Sequence, residues 1–301
     1  MELLRLEGPL EPGTGDAVLV LAMDGWTDAG LGGTAAAEVL RDAFAPQRLG
    51  AFDSDALYDY RDRRPQLALD RGILGTPEWP ELTVERLEPP AGPPLVLVTG
   101  AEPDLGWQAL GRDLVELART TGARRYVGLG SVPGPIPHTR PVQLICTASD
   151  PDLAERIGRP HEQVIVPASC QVAMEALLRD AGLTTVGLWV RIPHYVAGEY
   201  PEASRALLEQ LSAYLGTPVD LGPFQTPIAE HRAKLDVAAT SSEEVTQHVA
   251  QLERLYDAEM EAERLSGAFD GAEAGAMGDQ PVPSADELAA EIERFLKGRA
   301  E

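Results

Sequence analysis

Val18-Leu-Val-Leu-Ala-Met23, Asp24-Gly25-Trp26-Thr27-Asp28-Ala29-Gly30 and Leu31-Gly-Gly-Thr-Ala-Ala-Ala-Glu-Val-Leu40 follow one another without a break. The first segment is an apolar run bounded by turn residues, the pattern of a parallel strand covered on both faces. The third is an Ala-rich helix. The acidic, Gly-rich turn between them carries a tryptophan. It falls at the carboxyl end of the strand, where open α/β sheets place their ligands.

The same alternation continues outward from this unit. Strands are expected at 48–52, 82–87, 95–99, 126–132, 143–147, 164–166 and 184–192. Helices are expected at 107–120, from 151, at 169–180 and at 201–215, several opened by Ser, Asp or Pro in cap positions. Strand and helix in alternation is the α/β signature. Past residue 215 the pattern is helical only. Ser241-Ser-Glu-Glu244 is a capping box that opens a helix with Val245, Val249, Leu252 and Tyr256 on one stripe, ending near Leu265. Residues 266–283 are mostly Gly, Ala, Asp and Pro, and Ser284-Ala-Asp-Glu287 opens a last helix. The expected organisation is a core domain at 1–237, a helical extension at 238–265, a flexible linker at 266–283 and a terminal helix at 284–301.

Composition removes several classes of function. The 301 residues carry 25 Lys and Arg against 48 Asp and Glu, a formal charge of −23, which disfavours nucleic acid and anionic membrane surfaces. The only lysines are Lys234 and Lys297. Cys146 and Cys170 have neither metal nor C-x-x-C spacing and read as reduced core residues. No signal peptide and no apolar run of about 20 residues is seen, so a cytoplasmic protein is expected.

Catalytic motifs fare little better. Gly30-Leu-Gly32-Gly-Thr-Ala35 formally matches G-x-G-x-x-A, with Asp53 some way on. The segment Asp24 to Ala29 intervenes after the strand, however, and its two carboxylates would repel a pyrophosphate. These glycines more simply let the helix pack close to the sheet. There is no G-x-x-x-x-G-K-[ST] loop and no G-x-S-x-G elbow. The five histidines form no ligand pair, so no metal is expected. His138 and His194 each follow a proline in a loop beyond a strand, where bonding a loop carbonyl is the more ordinary role.

What remains is a polar and aromatic rim. Asp24, Asp28, Asp53, Asp55, Asp59 and Glu102, with Arg61, Arg64 and Arg140, fall at or near strand ends that share one edge of a parallel sheet. Trp26, Tyr58, Tyr60, Trp79 and Trp107 lie in or beside the same loops. Opposed charges there can simply pair and lock the loops. Aromatics clustered with arginine also mark interface hot spots, which tilts the reading from enzyme to binding.

Several motifs in order resemble the proteasome assembly chaperone two family, in its bacterial, actinobacterial-type branch. They are Gly25-Trp26-Thr27-Asp28-Ala29-Gly30, Asp53 with Tyr58-Asp59-Tyr60 and Arg64-Pro65, and Gly100-Ala-Glu102-Pro103 with Trp107. Pro137-His138-Thr-Arg140-Pro141, Pro193-His194-Tyr195 and Tyr200-Pro201 continue the set, which covers roughly residues 15–260. The resemblance implies a three-layer α/β/α sandwich with a mostly parallel central sheet, similar to nucleoside phosphorylases, plus a C-terminal helical extension. It also implies a non-enzymatic binding protein without cofactor, with proteasome subunits as partners and self-association into a homo-oligomer, a trimer being one option. The binding candidates are Asp24, Trp26, Asp28, Asp53, Tyr58, Tyr60, Arg64, Glu102, Trp107, His138, Arg140 and His194. Some assembly chaperones insert a terminal hydrophobic-Tyr-any tripeptide into proteasome pockets. This sequence ends Arg299-Ala300-Glu301, with Ala where the Tyr would stand, so that mode of docking is not expected. The alternative is a small-molecule enzyme or nucleotide- or nucleoside-binding protein, with Asp24, Asp28, His138 and Arg140 about one phosphorylase-like crevice.

Overall fold

The structure is a computed structural model that describes residues 1–10, 16–160 and 165–269. In chain order the elements are β1 (Leu4–Leu6), β2 (Val18–Asp24), α1 (Gly32–Phe44), β3 (Gln47–Phe52), α2 (Ser54–Leu57), β4 (Leu69–Asp70), β5 (Ile73–Leu74), β6 (Leu82–Leu87) and β7 (Leu95–Ala101). There follow α3 (Trp107–Thr121), β8 (Arg125–Gly134), β9 (Gln143–Ala148), α4 (Pro151–Ile157), β10 (Arg159–Pro160), α5 (Cys170–Asp180), β11 (Thr184–Pro193), α6 (Pro201–Leu215), α7 (Gln225–Ala239) and α8 (Glu243–Phe269). Nine strands form one sheet in the order β1-β3-β6-β7-β2-β8-β11-β9-β10. The central four, β7, β2, β8 and β11, are mutually parallel, and antiparallel strands flank them on both sides.

The apolar run at 18–23 is continuous because both of its faces are buried. Val18, Val20 and Ala22 pack with Ala36, Ala37 and Leu40 of α1 and Leu207 and Leu211 of α6. Leu19, Leu21 and Met23 point the other way, onto Leu110 and Leu114 of α3 and Met174 and Leu178 of α5. These two cores, one on each face, make the three-layer α/β/α sandwich. Full burial of a leucine such as Leu19 or Leu21 is worth about 2 kcal/mol.

The glycines after the turn serve packing. A Cβ on Gly33 would lie 2.4 Å from the carbonyl oxygen of Leu129 on β8, so only glycine lets α1 sit this close to the sheet. The strand expected at 164–166 is not formed at Ile165 and Val166, which are exposed coil; residue 164 lies outside the described residues. The sheet edge next to β9 is taken by Arg159–Pro160 instead, and Pro167-Ala168-Ser169 must feed the cap of α5.

The chain divides into two units, Met1–Tyr256 and Asp257–Glu301. In the first, α8 buries Val249, Leu252 and Tyr256 of the expected stripe, while Val245 stays exposed. Residues 238 and 239 complete α7, so the expected boundary after 237 falls in its last turn. Of the expected linker, 266–269 continue α8 and the rest lies outside the described residues, as do the helix expected at 284–301 and the Arg299-Ala300-Glu301 terminus. Among the described residues no helix is long and apolar enough to cross a membrane.

Candidate functional site

The strands β3, β7, β2, β8 and β11 all point the same way, so the loops after them share the carboxyl edge of the sheet. Asp53 follows β3, Glu102 follows β7, Asp24 ends β2 and His194 follows β11. From β3 to β11 is five strand spacings, roughly 24 Å. That span is too wide for one small ligand, and the rim resolves into separate clusters.

The central cluster is built around Glu102. One carboxylate oxygen accepts the backbone N–H of Trp26 and the other accepts that of Cys170, both at 2.7 Å. Cys170 opens α5, so Glu102 lies at the positive end of that helix and ties it to the turn after β2. Thr27 is tied to the same place, its hydroxyl 3.2 Å from Ser169 Oγ. The indole of Trp26 is left 72% exposed. Arg63 reaches Asp24 at 3.6 Å, and Trp107 donates its indole N–H to the carbonyl of Pro103. Trp26, Arg63, Glu102, Trp107, Pro167 and Ser169 line a cavity of about 550 Å³. Burial and then the Glu102 charge push the Cys170 thiol up, so it is held neutral rather than as a nucleophile.

Asp28 turns away from this cavity. It is buried, and its carboxylate accepts the N–H groups of Gly33 and Thr34 and the Thr34 hydroxyl. It therefore caps the start of α1. Burial raises its pKa above the usual carboxylate value, although those hydrogen bonds pull the other way.

On the β3 side, Asp53 caps α2 and pairs with Arg5 at 2.9 Å. The buried Tyr58 hydroxyl donates to the carbonyl of Ala101, and burial raises its pKa. Tyr60 donates to Asp55 at 2.6 Å and packs on Trp79 with ring centroids 4.7 Å apart. Its hydroxyl is pushed up to about 12 by desolvation and the Asp55 bond. Arg61 holds Asp59 down to about 2 through side-chain and backbone hydrogen bonds. Arg64 is exposed and forms no ion pair among the described residues.

On the β8–β11 side, the Tyr195 hydroxyl accepts the backbone N–H of His138 and lies 2.7 Å from its Nδ1. The hydroxyl then donates to Nδ1, which leaves Nε2–H to donate to Asp236 Oδ1 at 3.2 Å. His138 is buried, and it pins the loop after β8 to α7. Arg140 and the Thr139 hydroxyl both reach Glu253 of α8. His194 bonds the carbonyl of Gly134 through Nδ1 and lies 3.3 Å from His248 through Nε2. His138 and Arg140 line a different cavity, of about 400 Å³, with Tyr200, Glu202, Arg205 and Arg232.

Most of the candidate side chains are therefore committed to locking loops. The four groups of the enzyme alternative are not gathered about one crevice. Among the described residues no group of three or more His, Cys, Asp or Glu is placed to hold a metal ion. Reasoning from sequence passed over Asp236 and Glu253, single polar residues with no motif around them, and left Arg63 and Ser169 out of the binding candidates. It also passed over the hairpin β4–β5, which leaves Leu69, Ile73 and Leu74 about two-thirds or more exposed. Its signal was present: Arg71-Gly72 between Leu69-Asp70 and Ile73-Leu74 is a two-residue turn, and both residues take positive φ.

Replacing Glu102 by Gln is expected to cost about 1.5 kcal/mol, the lower end for hydrogen bonds to a charged group, since the site is half-exposed. Amide exchange at Trp26 and Cys170 should accelerate together. Unchanged protection at both would show that the carboxylate does not hold the turn.

Fold and edge define an α/β/α sandwich protein with an aromatic crevice at the carboxyl end of a parallel sheet centre. The chain belongs to the PAC2 family, which it matches over residues 22–239. It is similar to Rv2714 of Mycobacterium tuberculosis, a protein of unknown function, with 34% identity over 88% of this chain and 92% of that one and a TM-score of 0.80. A PAC2 family protein of Streptomyces avermitilis is 32% identical over 78% of this chain and 100% of its own, with a TM-score of 0.69. Rv2125 of Mycobacterium tuberculosis, a proteasome-assembly chaperone homologue, is 26% identical over 77% of this chain and 99% of its own, with a TM-score of 0.72. No curated protein matches the chain.

Proposed function

We propose that this protein is a non-enzymatic binding protein of the assembly-chaperone kind, with the carboxyl edge of its sheet as the docking face. The observation that carries the reading is the division of labour on that edge. Polar groups there are largely consumed by bonds within the chain, while large apolar side chains face solvent. Trp26, Trp79, Leu105, Leu69, Ile73 and Leu74 are each more than half exposed. Large apolar side chains left exposed at one edge suit a protein interaction site. Likeness to the proteasome-assembly chaperone homologue supports proteasome subunits as the partners. The exposed hairpin β4–β5 supports self-association, two copies burying its leucines and isoleucine against each other.

The test is affinity capture of the full-length tagged protein from its own cell extract, at low and moderate salt, with mass spectrometry of what returns. Proteasome α subunits are expected, released as salt rises because the chain is strongly acidic. Light scattering on the same preparation should give a multiple of the 32.2 kDa chain, reduced by Ile73→Ser. Recovery of the protein alone, as a monomer, would sink both parts of the proposal.

A further inference from the structure

A third cavity, of about 540 Å³, opens near the other edge of the sheet, between α4, α5 and the strands β9 and β11. Its size is that of a small-molecule site. Thr185, the second residue of β11, lines it, some 26 Å along the strand from Pro193 at the carboxyl edge. None of the rim residues described above takes part.

The polar floor of the cavity is built rather than incidental. Trp189 donates its indole N–H to Thr147 Oγ1 at 3.1 Å, and Thr147 donates to Glu175 Oε2 at 3.0 Å. These groups meet over Gly187, where a Cβ would lie 2.3 Å from Thr147 Oγ1 and 2.5 Å from Glu175 Oε2. Two polar atoms there lack a hydrogen-bond partner among the described residues, the first sealed from solvent and the second open to it. Thr185 is 1% exposed and its hydroxyl has no hydrogen-bond partner. Glu175 is 7% exposed, and its Oε1 has no partner among the described residues. Arg179 lines the cavity, but its guanidinium is bound to Asp180 at 2.8 and 3.0 Å. Asp150, at the mouth, caps α4 through Leu153 and adds negative charge.

We propose that this cavity binds a small primary amine, an ammonium group on a short apolar stem. The ammonium supplies the donor that Glu175 Oε1 lacks, and a largely buried carboxylate gains a counter-charge. Ala154, Val172 and Ala176 on the walls suit a hydrocarbon stem. An anion would meet Glu175 and Asp150, and the net charge of −23 draws cations rather than anions to the surface.

Burial pushes the Glu175 carboxyl up to about 7, against the Thr147 bond and the Arg179 charge. The other titratable groups near it are Cys146 on β9 and Tyr126 on β8, both kept neutral by burial, with Arg179 on α5 and Asp150 before α4 carrying charge. The amine therefore meets a carboxylate above neutrality and a neutral acid below it.

The experiment is calorimetric titration of the full-length protein with 1-butylamine, using 1-butanol as the neutral isostere. At about pH 8.5 the amine is expected to bind one per chain, at least about tenfold tighter than butanol, and to weaken about tenfold by about pH 5.5. Glu175→Gln keeps an acceptor for Thr147 and should bring the amine to the butanol level with an unchanged near-UV circular dichroism spectrum. Should that variant fail to fold, Ala176→Leu, which fills the cavity from its α5 wall, should weaken the amine severalfold. Amine binding that is absent, no tighter than butanol, or unaffected by the variant that folds would overturn the proposal.

Discussion

Replacing Trp26 by alanine is expected to weaken partner capture at least about thirtyfold while leaving the urea unfolding midpoint almost where it was. The two effects separate because the backbone and the side chain of Trp26 do different work. Its N–H holds Glu102, and alanine keeps that bond. Its ring is 72% exposed and fills no core position, so truncation should cost less than about 0.5 kcal/mol of stability. In an interface, an exposed tryptophan rimmed by polar groups is a hot-spot residue worth about 2 kcal/mol or more, which is about thirtyfold in affinity. The measurement is an equilibrium titration with the captured partner, beside urea melts of both proteins. Parallel loss of stability and binding would make the ring a structural element. Loss of neither would move the docking face away from the carboxyl edge.

How far the sequence could lead is set by how local each signal is. The strand at 18–23, the helix that follows it and the turn between them were legible because burial on two faces leaves a continuous apolar run. The same logic found β7, β8 and β11. Direction and neighbourhood in the sheet were not legible, since β6 and β9 pair antiparallel with the parallel centre through contacts far apart in sequence. Ile165 and Val166 misled because three apolar residues in a row carry no information about which edge is free. For the site, the sequence brought Trp26, Glu102 and Trp107 to one edge, and they do line one cavity. It could not say that Asp28 faces α1, or that His138 is held by Tyr195 and Asp236, because those partners lie in other loops and helices. The cavity around Glu175 had no motif at all. Its parts come from β9, α5 and β11, and only folding brings them together.

Glu175→Gln is expected to stabilise the protein at about pH 8 by up to about 3 kcal/mol and to change little near pH 4.5. A carboxyl whose pKa rises from 4.5 when unfolded to about 7 when folded binds its proton more tightly in the native state. Its contribution to stability is complete below 4.5, falls as pH rises through 7 and is lost above that. The difference of about 2.5 pKa units, at about 1.4 kcal/mol each, gives the size of the effect. Gln carries no charge to desolvate and still accepts from Thr147, so its stability should lack this component of pH dependence. Other carboxylates titrate in the same range, but they do so in both proteins, and the difference between the two urea curves isolates position 175. Wild-type protein at about pH 8 thus holds a buried carboxylate at a cost that the isosteric amide would avoid. Such a cost is expected where the charge is used by a ligand. Saturating 1-butylamine should accordingly raise wild-type stability at about pH 8 and narrow the gap to the variant, while doing nothing for the variant itself. If the Gln protein is no more stable at about pH 8 than wild type, Glu175 is solvated through the cavity mouth, and the stability it is thought to cost does not exist.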